Sequence, residues 1–433
     1  MRLPLTVRTT LTIASAAGLV LVAPASYASH PHQDEPAAAH PNMVVQWNEI
    51  ATRTIATENL TPVPVTPLYL SFASVAMYDS VAAIRGGLRP YALTSRPTEA
   101  KGASVPAAAA TAAYVVLKHY FPGSVDHLDA DYAASLDQVP NGSREDRGVV
   151  VGQAAARAII RLRADDGRDD PSVPPLAPEP APGVWRPTAP SNLPMLVPWL
   201  GFVRPMVLRS PTQLSLPGPK PLGSAAYARD YNEVKTMGAL ASTSRTAAQT
   251  QTALFFSDNS VVQYQAGMRT IATGDALGIA RTARMFALVD TGTADAMISC
   301  WRAKYDYAFW RPVTAIALAD TDGNSATKAD PGWAPLSPTP PYPDYPSGHA
   351  CNTGSVARGL SILFGADDID LVVSSAVTGT TRHYETAAEL NRQTKDARIW
   401  LGLHFRTAMN DGNSLGQRAA AYVAAHAFGR ASG

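Results

Sequence analysis

A long run of prolines divides the sequence into two parts that can form helices. Prolines stand at positions 171, 174, 175, 178, 180 and 182 and recur as far as Pro221. Proline lacks a backbone donor and blocks the continuation of a helix, so residues 170–223 are predicted to form an extended surface connector. Because the connector carries Trp185, Trp199 and Phe202, we expect it to pack against the protein instead of floating as a flexible linker.

On both sides of the connector, apolar residues recur at helical spacing. Before it, this pattern covers 42–165, where no alternating strand pattern of useful length occurs. The sequence therefore predicts an all-α protein with two helical bundles, residues 42–169 and 224–433, joined by the proline-rich connector 170–223. In the second bundle the predicted helices cover 224–238, 242–257, 275–305, 347–364, 391–407 and 413–428.

The first 28 residues resemble a secretory signal. Arg2 and Arg8 precede an apolar stretch, and residues 23–25 and 26–28 each offer a small-x-small cleavage site. We expect a cleaved signal at 1–28, a flexible N-terminus at 29–41, and an exported, extracellular protein with no membrane span in its mature form. An uncleaved membrane anchor is the alternative, although the apolar run is short for a span of about 20 residues.

The balance of charges argues against a nucleic-acid partner. The chain has 36 Lys+Arg and 35 Asp+Glu, a formal net charge of +1, whereas nucleic-acid binders normally carry a basic excess. Two cysteines exclude a disulfide-dense scaffold and the cysteine-rich zinc modules. In an exported protein, Cys300 and Cys351 either form a disulfide or remain two free thiols, and the sequence leaves both open. The sequence is also compatible with an oligomeric protein.

Three clusters in the second part carry cations and histidines. In the first, Lys304 and Arg311 are seven residues apart, a spacing that predicts one helix face, and Pro312 is expected to end that helix. The second is Pro346-Ser347-Gly348-His349, which places Ser347 and Gly348 at a helix N-terminus. Free backbone N–H groups and the positive end of the helix dipole bind oxyanions at such a position.

The third cluster contains Arg398 and His404, which are about 120° apart on a helix. Each cluster alone also has a plain structural interpretation: a solvated cationic face, a helix cap or a buried satisfied histidine. Together, the three cations, the hydroxyl, the helix-end amides and the two histidines suit a tri- or tetra-oxo anion. One histidine can bond the central atom while the other acts as acid or base.

The three clusters follow one another along the chain as Lys-x6-Arg-Pro, Pro-Ser-Gly-His and Arg-x5-His. This order resembles the signature of the vanadium-dependent haloperoxidase and type 2 phosphatidic acid phosphatase superfamily. Residues 182–188, 286–290 and 309–312 resemble its haloperoxidase branch. The resemblance implies that Lys304, Arg311 and Arg398 neutralise the equatorial oxygens of vanadate or phosphate. It also implies that Ser347 and the Gly348 amide donate hydrogen bonds to these oxygens.

The resemblance further assigns roles to the two histidines. His404 would coordinate vanadium, or become phosphorylated in a phosphatase, and His349 would hold the apical oxygen and act as acid–base. Lys304 would also activate bound peroxide. Asp258 stands where haloperoxidases place an aspartate that orients the distal arginine, here Arg398.

Some positions depart from the family pattern. Phosphatases usually carry an aspartate four residues after the second histidine, where this chain has Ala408, so Asp411 would have to substitute. Five residues before the serine, chloroperoxidases have phenylalanine and bromoperoxidases histidine. Tyr342 is neither, which leaves the halide preference open. Trp301 resembles a tryptophan near the halide pocket of the chloroperoxidase branch.

Three functional hypotheses follow from the resemblance. The favoured one is a secreted vanadium-dependent haloperoxidase that uses vanadate, hydrogen peroxide, a halide and a small organic substrate. The second is a secreted acid phosphatase without a cofactor, for which phosphate is the substrate group and His404 the phosphorylated residue. The third is a non-enzymatic phosphate-binding protein, which is disfavoured because every core position of the three motifs is present.

Overall fold

Helices form most of the regular structure, as the apolar spacing predicts. The computed structural model describes residues 42–365 and 367–430. The predicted signal at 1–28 and the predicted flexible N-terminus at 29–41 lie outside the described residues. The predicted all-α fold is confirmed, with one small two-stranded sheet added to it.

In the described part of the chain, five helices precede the connector. Asn42 and Ser104 cap two of them, because each side chain accepts a hydrogen bond from a backbone N–H of the first turn. By length and composition α2 could cross a membrane, but 89% of its most apolar window is buried inside the protein. The five helices are α1 (Met43–Thr52), α2 (Thr66–Arg85), α3 (Val105–Tyr120), α4 (Val125–Leu136) and α5 (Ser143–Leu162).

Eight helices and a hairpin follow the connector in the part that the structure describes. Thr246 and Ser347 cap the helices over 247–255 and 348–364, because each side chain accepts a hydrogen bond from a backbone N–H of the first turn. The elements are α6 (Ala225–Met237), α7 (Ala247–Phe255), α8 (Ser260–Gly274), α9 (Ile279–Tyr307), α10 (Pro312–Ala317), α11 (Gly348–Phe364), β1 (Asp368–Ser375), β2 (Thr380–Thr386), α12 (Ala387–Trp400) and α13 (Arg406–His426). The two strands pair in antiparallel fashion.

The helix predicted to carry both Lys304 and Arg311 ends between them. α9 stops at Tyr307 because Ala308 adopts a left-handed conformation with φ 41°. Arg311 is the N-cap residue of α10, and Pro312 begins that helix instead of ending the previous one. The prediction that the two cations share one helix face is therefore wrong.

The helix predicted over 391–407 is divided in a similar way. α12 ends at Trp400, and α13 begins at Arg406. Gly402, with φ 79°, reverses the chain between them, and a Cβ there would lie 2.6 Å from the carbonyl oxygen of Gly238. His404 thus lies in a loop, and the helical angle expected between it and Arg398 does not apply.

The connector packs against the end of α9, as its aromatic residues predict. Trp185 is 1% exposed, and its backbone N–H donates to the carbonyl oxygen of Ala308 at 2.6 Å. The N–H of Trp310 donates to the carbonyl oxygen of Gly183 at 2.9 Å. Residues 183–185 therefore pair with 308–310 and stabilise the break before Arg311.

Side chains from both sides of the connector share one buried apolar core. α9 packs against α2 on one side and against α11 and α13 on the other. A buried polar contact reinforces the first packing, since Asp290 on α9 accepts hydrogen bonds from Ser74 on α2 and Gln265 on α8. The bundle boundaries drawn from the sequence at 169 and 223 stay predictions.

Candidate oxyanion site

Five segments bring the predicted residues together. Lys304 lies in the last turn of α9, Arg311 at the start of α10, and Arg398 in the last turn of α12. Residues 347–349 begin α11, and His404 follows in the loop before α13. The segments meet because α9, α11 and α13 pack against one another.

Hydrogen bonds to the backbone hold two of the cations in place. The Nζ of Lys304 donates to the carbonyl oxygens of Pro343 at 2.6 Å and Asp344 at 3.1 Å. The Nε of Arg311 donates to the carbonyl of Tyr342 at 2.7 Å, and its Nη1 donates to that of Leu403 at 2.8 Å. The run of residues before Ser347 therefore positions both Lys304 and Arg311.

The three cations are buried without a compensating ion pair. Lys304 and Arg311 are 0% exposed and Arg398 is 3% exposed. Burial lowers the pKa of Lys304 from 10.5 to about 8 and that of Arg398 to about 10, and it also lowers the pKa of Arg311. No acidic side chain among the described residues forms an ion pair with any of the three.

Two donors in this cluster have no partner within the described chain, the Nη2 of Arg311 and the Nε of Arg398, and both atoms are buried. The buried Nε2 of His349 also has no partner. Buried polar atoms are rarely left without a hydrogen bond, so each requires an explanation. An oxyanion among them would accept these donors and neutralise the cations, and the residues present therefore fit vanadate or phosphate.

The start of α11 adds two more groups to this cradle. Ser347 caps the helix, and its Oγ accepts a hydrogen bond from the N–H of Ala350 at 3.4 Å, which leaves its own O–H free to donate elsewhere. A Cβ at Gly348 would lie 3.0 Å from the ring of Trp301. Glycine thus allows Trp301 to pack closely here, and the amides of this first turn remain available to an anion.

His404 is buried, His349 is partly buried, and the pKa of each is lowered so that both are neutral near pH 7. Burial lowers the pKa of His349 well below 6.5, and the nearby Arg398 lowers it further, while the carbonyl of Asp258 opposes the shift. Burial and the positive charge of Arg311 lower the pKa of His404 in the same way. A neutral imidazole keeps one unprotonated ring nitrogen, which can accept a proton or coordinate a metal.

His404 has a partner that the sequence did not indicate. Its Nδ1 lies 2.8 Å from the Oδ1 of Asp344, and both side chains are 1% exposed. The carboxylate sought at Asp411 lies elsewhere, because Asp411 accepts a hydrogen bond from the Tyr345 hydroxyl at 2.7 Å. The expectation that Asp411 takes the phosphatase position beside the second histidine is therefore not met. The sequence did contain a signal for this contact, since Asp344 is an acidic residue within the run 340–346 that leads into Ser347.

Asp258 lies beside the site but does not form the predicted contact. Its carboxylate accepts hydrogen bonds from the backbone N–H groups of Asn259 at 2.7 Å and Ala376 at 2.6 Å. Arg398 donates through Nη1 to the carbonyl of Phe256 at 3.0 Å. No ion pair joins Asp258 to Arg398 within the described residues, so backbone from the Asp258 segment, not its carboxylate, holds the arginine.

A cavity of about 240 Å³ leads to Gly348, His349 and Arg398. Trp301 and Tyr342 form an aromatic part of its wall, with their ring centroids 5.1 Å apart. The Nζ of Lys304 lies 5.0 Å from the centroid of the Tyr342 ring. The two aromatic residues singled out in the sequence thus line the cavity beside Lys304, while Arg398 lines it directly.

The cysteines on either side of the site are free thiols. Cys300 on α9 and Cys351 on α11 are both fully buried. Burial raises the pKa of Cys351 well above its usual value, so this thiol stays protonated. Of the two alternatives that the sequence left open, the structure contains the free thiols and not the disulfide.

The described residues contain no group of three His, Cys, Asp or Glu side chains that could hold a metal ion on its own. This cluster therefore does not suit a metal ion bound by protein ligands alone. The fold and the site instead define a helical protein with a buried cradle for an oxyanion, in which one neutral histidine can bond the central atom.

Comparison with known proteins confirms the resemblance to the vanadium haloperoxidases. Residues 284–433 match the family model of the VCPO second helical-bundle domain. The vanadium chloroperoxidase of Curvularia inaequalis is 30% identical over 171 residues, a match that covers 29% of this chain and 27% of that protein. The match thus spans about a quarter of the length of this curated relative. The matched family domain includes Lys304, Arg311, residues 347–349, Arg398 and His404.

Solved structures share the fold over most of the chain. The structure of a bacterial vanadium-dependent iodoperoxidase superposes with a TM-score of 0.78 at 22% identity, covering 93% of this chain and 100% of that one. An apo-type bacterial vanadium-dependent chloroperoxidase gives a TM-score of 0.68 at 18% identity, covering 83% of this chain and 92% of that one. The likeness therefore extends to the helices before the connector.

Proposed function

We propose that this protein is a vanadium-dependent haloperoxidase that binds vanadate at His404 and uses hydrogen peroxide to oxidise a halide. One observation supports this most directly: two buried donors, on Arg311 and Arg398, and the buried Nε2 of His349 lack partners around a neutral His404. The names of the similar proteins, a chloroperoxidase and an iodoperoxidase, point in the same direction. When bound, vanadate would supply a Lewis acid that activates peroxide without changing its own oxidation state.

The residues of the chain would then act by binding, orientation and proton transfer. Lys304, Arg311 and Arg398 neutralise the negative charge of the oxyanion, and the low dielectric of the buried site strengthens each contact. The hydroxyl of Ser347 and the amide of Gly348 donate to it from the start of α11. The unprotonated Nε2 of His349 takes a proton from the incoming peroxide, because burial keeps this histidine neutral.

The cavity would admit peroxide, the halide and a small organic substrate from one side. Trp301 and Tyr342 form an apolar part of its wall, next to Arg398. We leave the halide to experiment, since Tyr342 matches neither residue expected of a chloroperoxidase or a bromoperoxidase. We also propose that the protein is exported, on the basis of the signal-like residues 1–28.

A paired assay tests the proposed function. The purified protein is loaded with orthovanadate, and peroxide-dependent halogenation of a diketone dye is followed with chloride, bromide and iodide in turn. Hydrolysis of a nitrophenyl phosphate ester is followed in parallel without vanadate. We expect vanadate-dependent halogenation, whereas rapid ester hydrolysis without halogenation would show a phosphatase instead.

Substitution of the histidine ties the activity to this site. His404→Ala should abolish halogenation, because it removes the ring nitrogen that would bond vanadium. His383→Ala is a matched control, since His383 lies on β2 with its side chain exposed and bonded to Asp370. Full activity in His404→Ala, or equal losses in both variants, would contradict the assigned site.

A further inference from the structure

Asp344 is a fully buried carboxylate placed against the proposed metal ligand. It lies three residues before Ser347, and its Oδ1 is 2.8 Å from the Nδ1 of His404. Its backbone carbonyl also accepts a hydrogen bond from Lys304 at 3.1 Å. The same residue therefore touches both the cation and the histidine of the oxyanion site.

The surroundings of His404 determine which ring nitrogen carries the proton. Arg311 can only donate, and its Nη1 lies 3.2 Å from the Nε2 of His404 and 3.4 Å from its Nδ1. Burial raises the pKa of Asp344 to about 7, against the opposing charges of Arg311 and Lys304. When ionised, its carboxylate can only accept, and it faces Nδ1. A proton on Nδ1 satisfies both neighbours, whereas a proton on Nε2 would set two N–H groups against each other and leave the carboxylate facing a lone pair.

No other acidic side chain in the described part of the chain performs this role. Asp411 is bonded to Tyr345, and Asp258 to the backbone of Asn259 and Ala376. A carboxylate behind a metal-bound histidine fixes its tautomer and orientation and makes the other nitrogen a better donor. Asp344 is the residue whose position allows this.

We propose that Asp344 is a positioning residue that holds the proton of His404 on Nδ1 and so directs the lone pair of Nε2 to vanadium. This inference rests on the proposed function, because vanadate would accept a bond from Nε2, whereas inorganic phosphate has no leaving group and would bind without one. Phosphate in the same cradle is held by charge and hydrogen bonds alone. Vanadate affinity therefore depends on Asp344, whereas phosphate affinity does not depend on it in this way.

Asp344→Asn tests this difference by binding measurements that need no turnover. Asparagine is nearly isosteric, but its amide can donate to Nδ1 and move the proton to Nε2, and it lacks the negative charge. We expect the affinity for orthovanadate, measured by equilibrium dialysis, to fall about 10- to 100-fold. The affinity for inorganic phosphate, measured by calorimetry, should stay the same or rise, because a negative charge beside the cations has been removed.

Asp411→Asn is the matched control, since it removes a nearby carboxylate that does not contact His404. Both affinities should stay within about twofold of the wild type in this variant. If Asp344→Asn lowers both affinities equally, or neither, the inference is overturned. If the wild type itself binds vanadate no more tightly than phosphate, the proposed function fails, and the inference fails with it.

A measurement on the wild-type chain covers the case in which Asp344→Asn does not fold. Nitrogen-15 NMR of histidine-labelled protein, with His404 assigned by its loss in His404→Ala, reports the protonated ring nitrogen directly. We expect a protonated Nδ1 and an unprotonated Nε2 before vanadate is added. A protonated Nε2 would overturn the inference whatever the behaviour of the variant.

Discussion

Among single residues, Lys304 is a buried ammonium group whose two hydrogen bonds both go to backbone carbonyls. Burial lowers its pKa to about 8, because the charged form loses its hydration and Arg311 lies close by. An oxyanion favours the charged form, so anion binding and protonation of Lys304 are linked. The affinity of the site must therefore depend on pH near that value.

We predict that the site binds sulfate less tightly as the pH rises above about 8. Below that pH Lys304 is charged and contributes to binding, and above it the group loses its proton, so the affinity should fall by up to about tenfold per unit of pH. Sulfate is a suitable probe because its own charge does not change in this range. Calorimetric titration at a series of pH values measures the effect.

Lys304→Arg is the control for this pH dependence. A guanidinium stays charged throughout the range, so the decline above about pH 8 should disappear or become much smaller in this variant. A decline of the same size in wild type and variant would assign the titration to another group.

The residues of the site differ in how far the sequence could reveal them. Most of them belong to short motifs whose chemistry can be predicted from residue type and order: Lys304, Arg311, residues 347–349, Arg398 and His404. Asp344 was missed because its role depends on a loop, 401–405, that brings His404 back against it. The contact assigned to Asp258 failed for a similar reason, since the hairpin places the N–H of Ala376 on its carboxylate.

Among the helices, α11 and α13 approach each other closely at glycines, two of which lie on α13. A Cβ at Gly416 would lie 2.0 Å from the carbonyl oxygen of Cys351, and one at Gly412 would lie 2.7 Å from that of Ser347. These two contacts support the first turn of α11, which carries the amides and hydroxyl of the site. The spacing of the two helices is thus part of the construction of the cradle.

We predict that Gly416→Ala destabilises the protein. The added methyl group overlaps backbone that cannot move without shifting α11, and such overpacking lowers the free energy of unfolding by about 1–3 kcal/mol. Alanine is the better helix former by about 1 kcal/mol, which offsets part of this loss. Urea denaturation measures the difference.

Gly274→Ala is the matched control at the end of α8. A Cβ at Gly274 meets no atom within 4 Å, so the free energy of unfolding should stay the same or rise slightly. Equal destabilisation in the two variants would show that close packing of α13 against α11 is not the cause.

Helical spacing predicted most helices but not where they end. α9 ends at Tyr307, just before the residues 308–310 that pair with the connector, and no local pattern contains this contact between distant segments. The hairpin was missed because β2 is short and largely polar, so its alternation is weak; only Tyr384 is fully buried in it. Local sequence thus indicates the type of element, while its bounds depend on partners far away in the chain.

For the whole molecule, the prediction of helices on both sides of a proline-rich connector describes the architecture well. What it could not show is that α2, from before the connector, and α9, from after it, pack into a common core. Packing between distant helices depends on the complementary shapes of buried side chains, which apolar spacing alone does not specify.

Export is a property of the whole chain that can be tested directly. When the full sequence is expressed in a secreting host, we expect the protein in the medium to begin at Ser26 or Ser29, after one of the two small-x-small sites. N-terminal sequencing of the secreted protein measures this. A chain that keeps Met1 and stays with the membrane fraction would support the uncleaved anchor.

The pairing of Gly183 and Trp185 with residues 308–310 also bears on how the chain becomes competent to bind its anion. Contacts between segments so far apart close large loops, and the chain entropy lost in closing them makes such contacts slow to form. The donors of the cradle come from segments on both sides of several such closures, so partly folded intermediates lack the assembled cradle. A bound oxyanion therefore stabilises the folded protein by mass action, because it binds only where the cradle is already assembled.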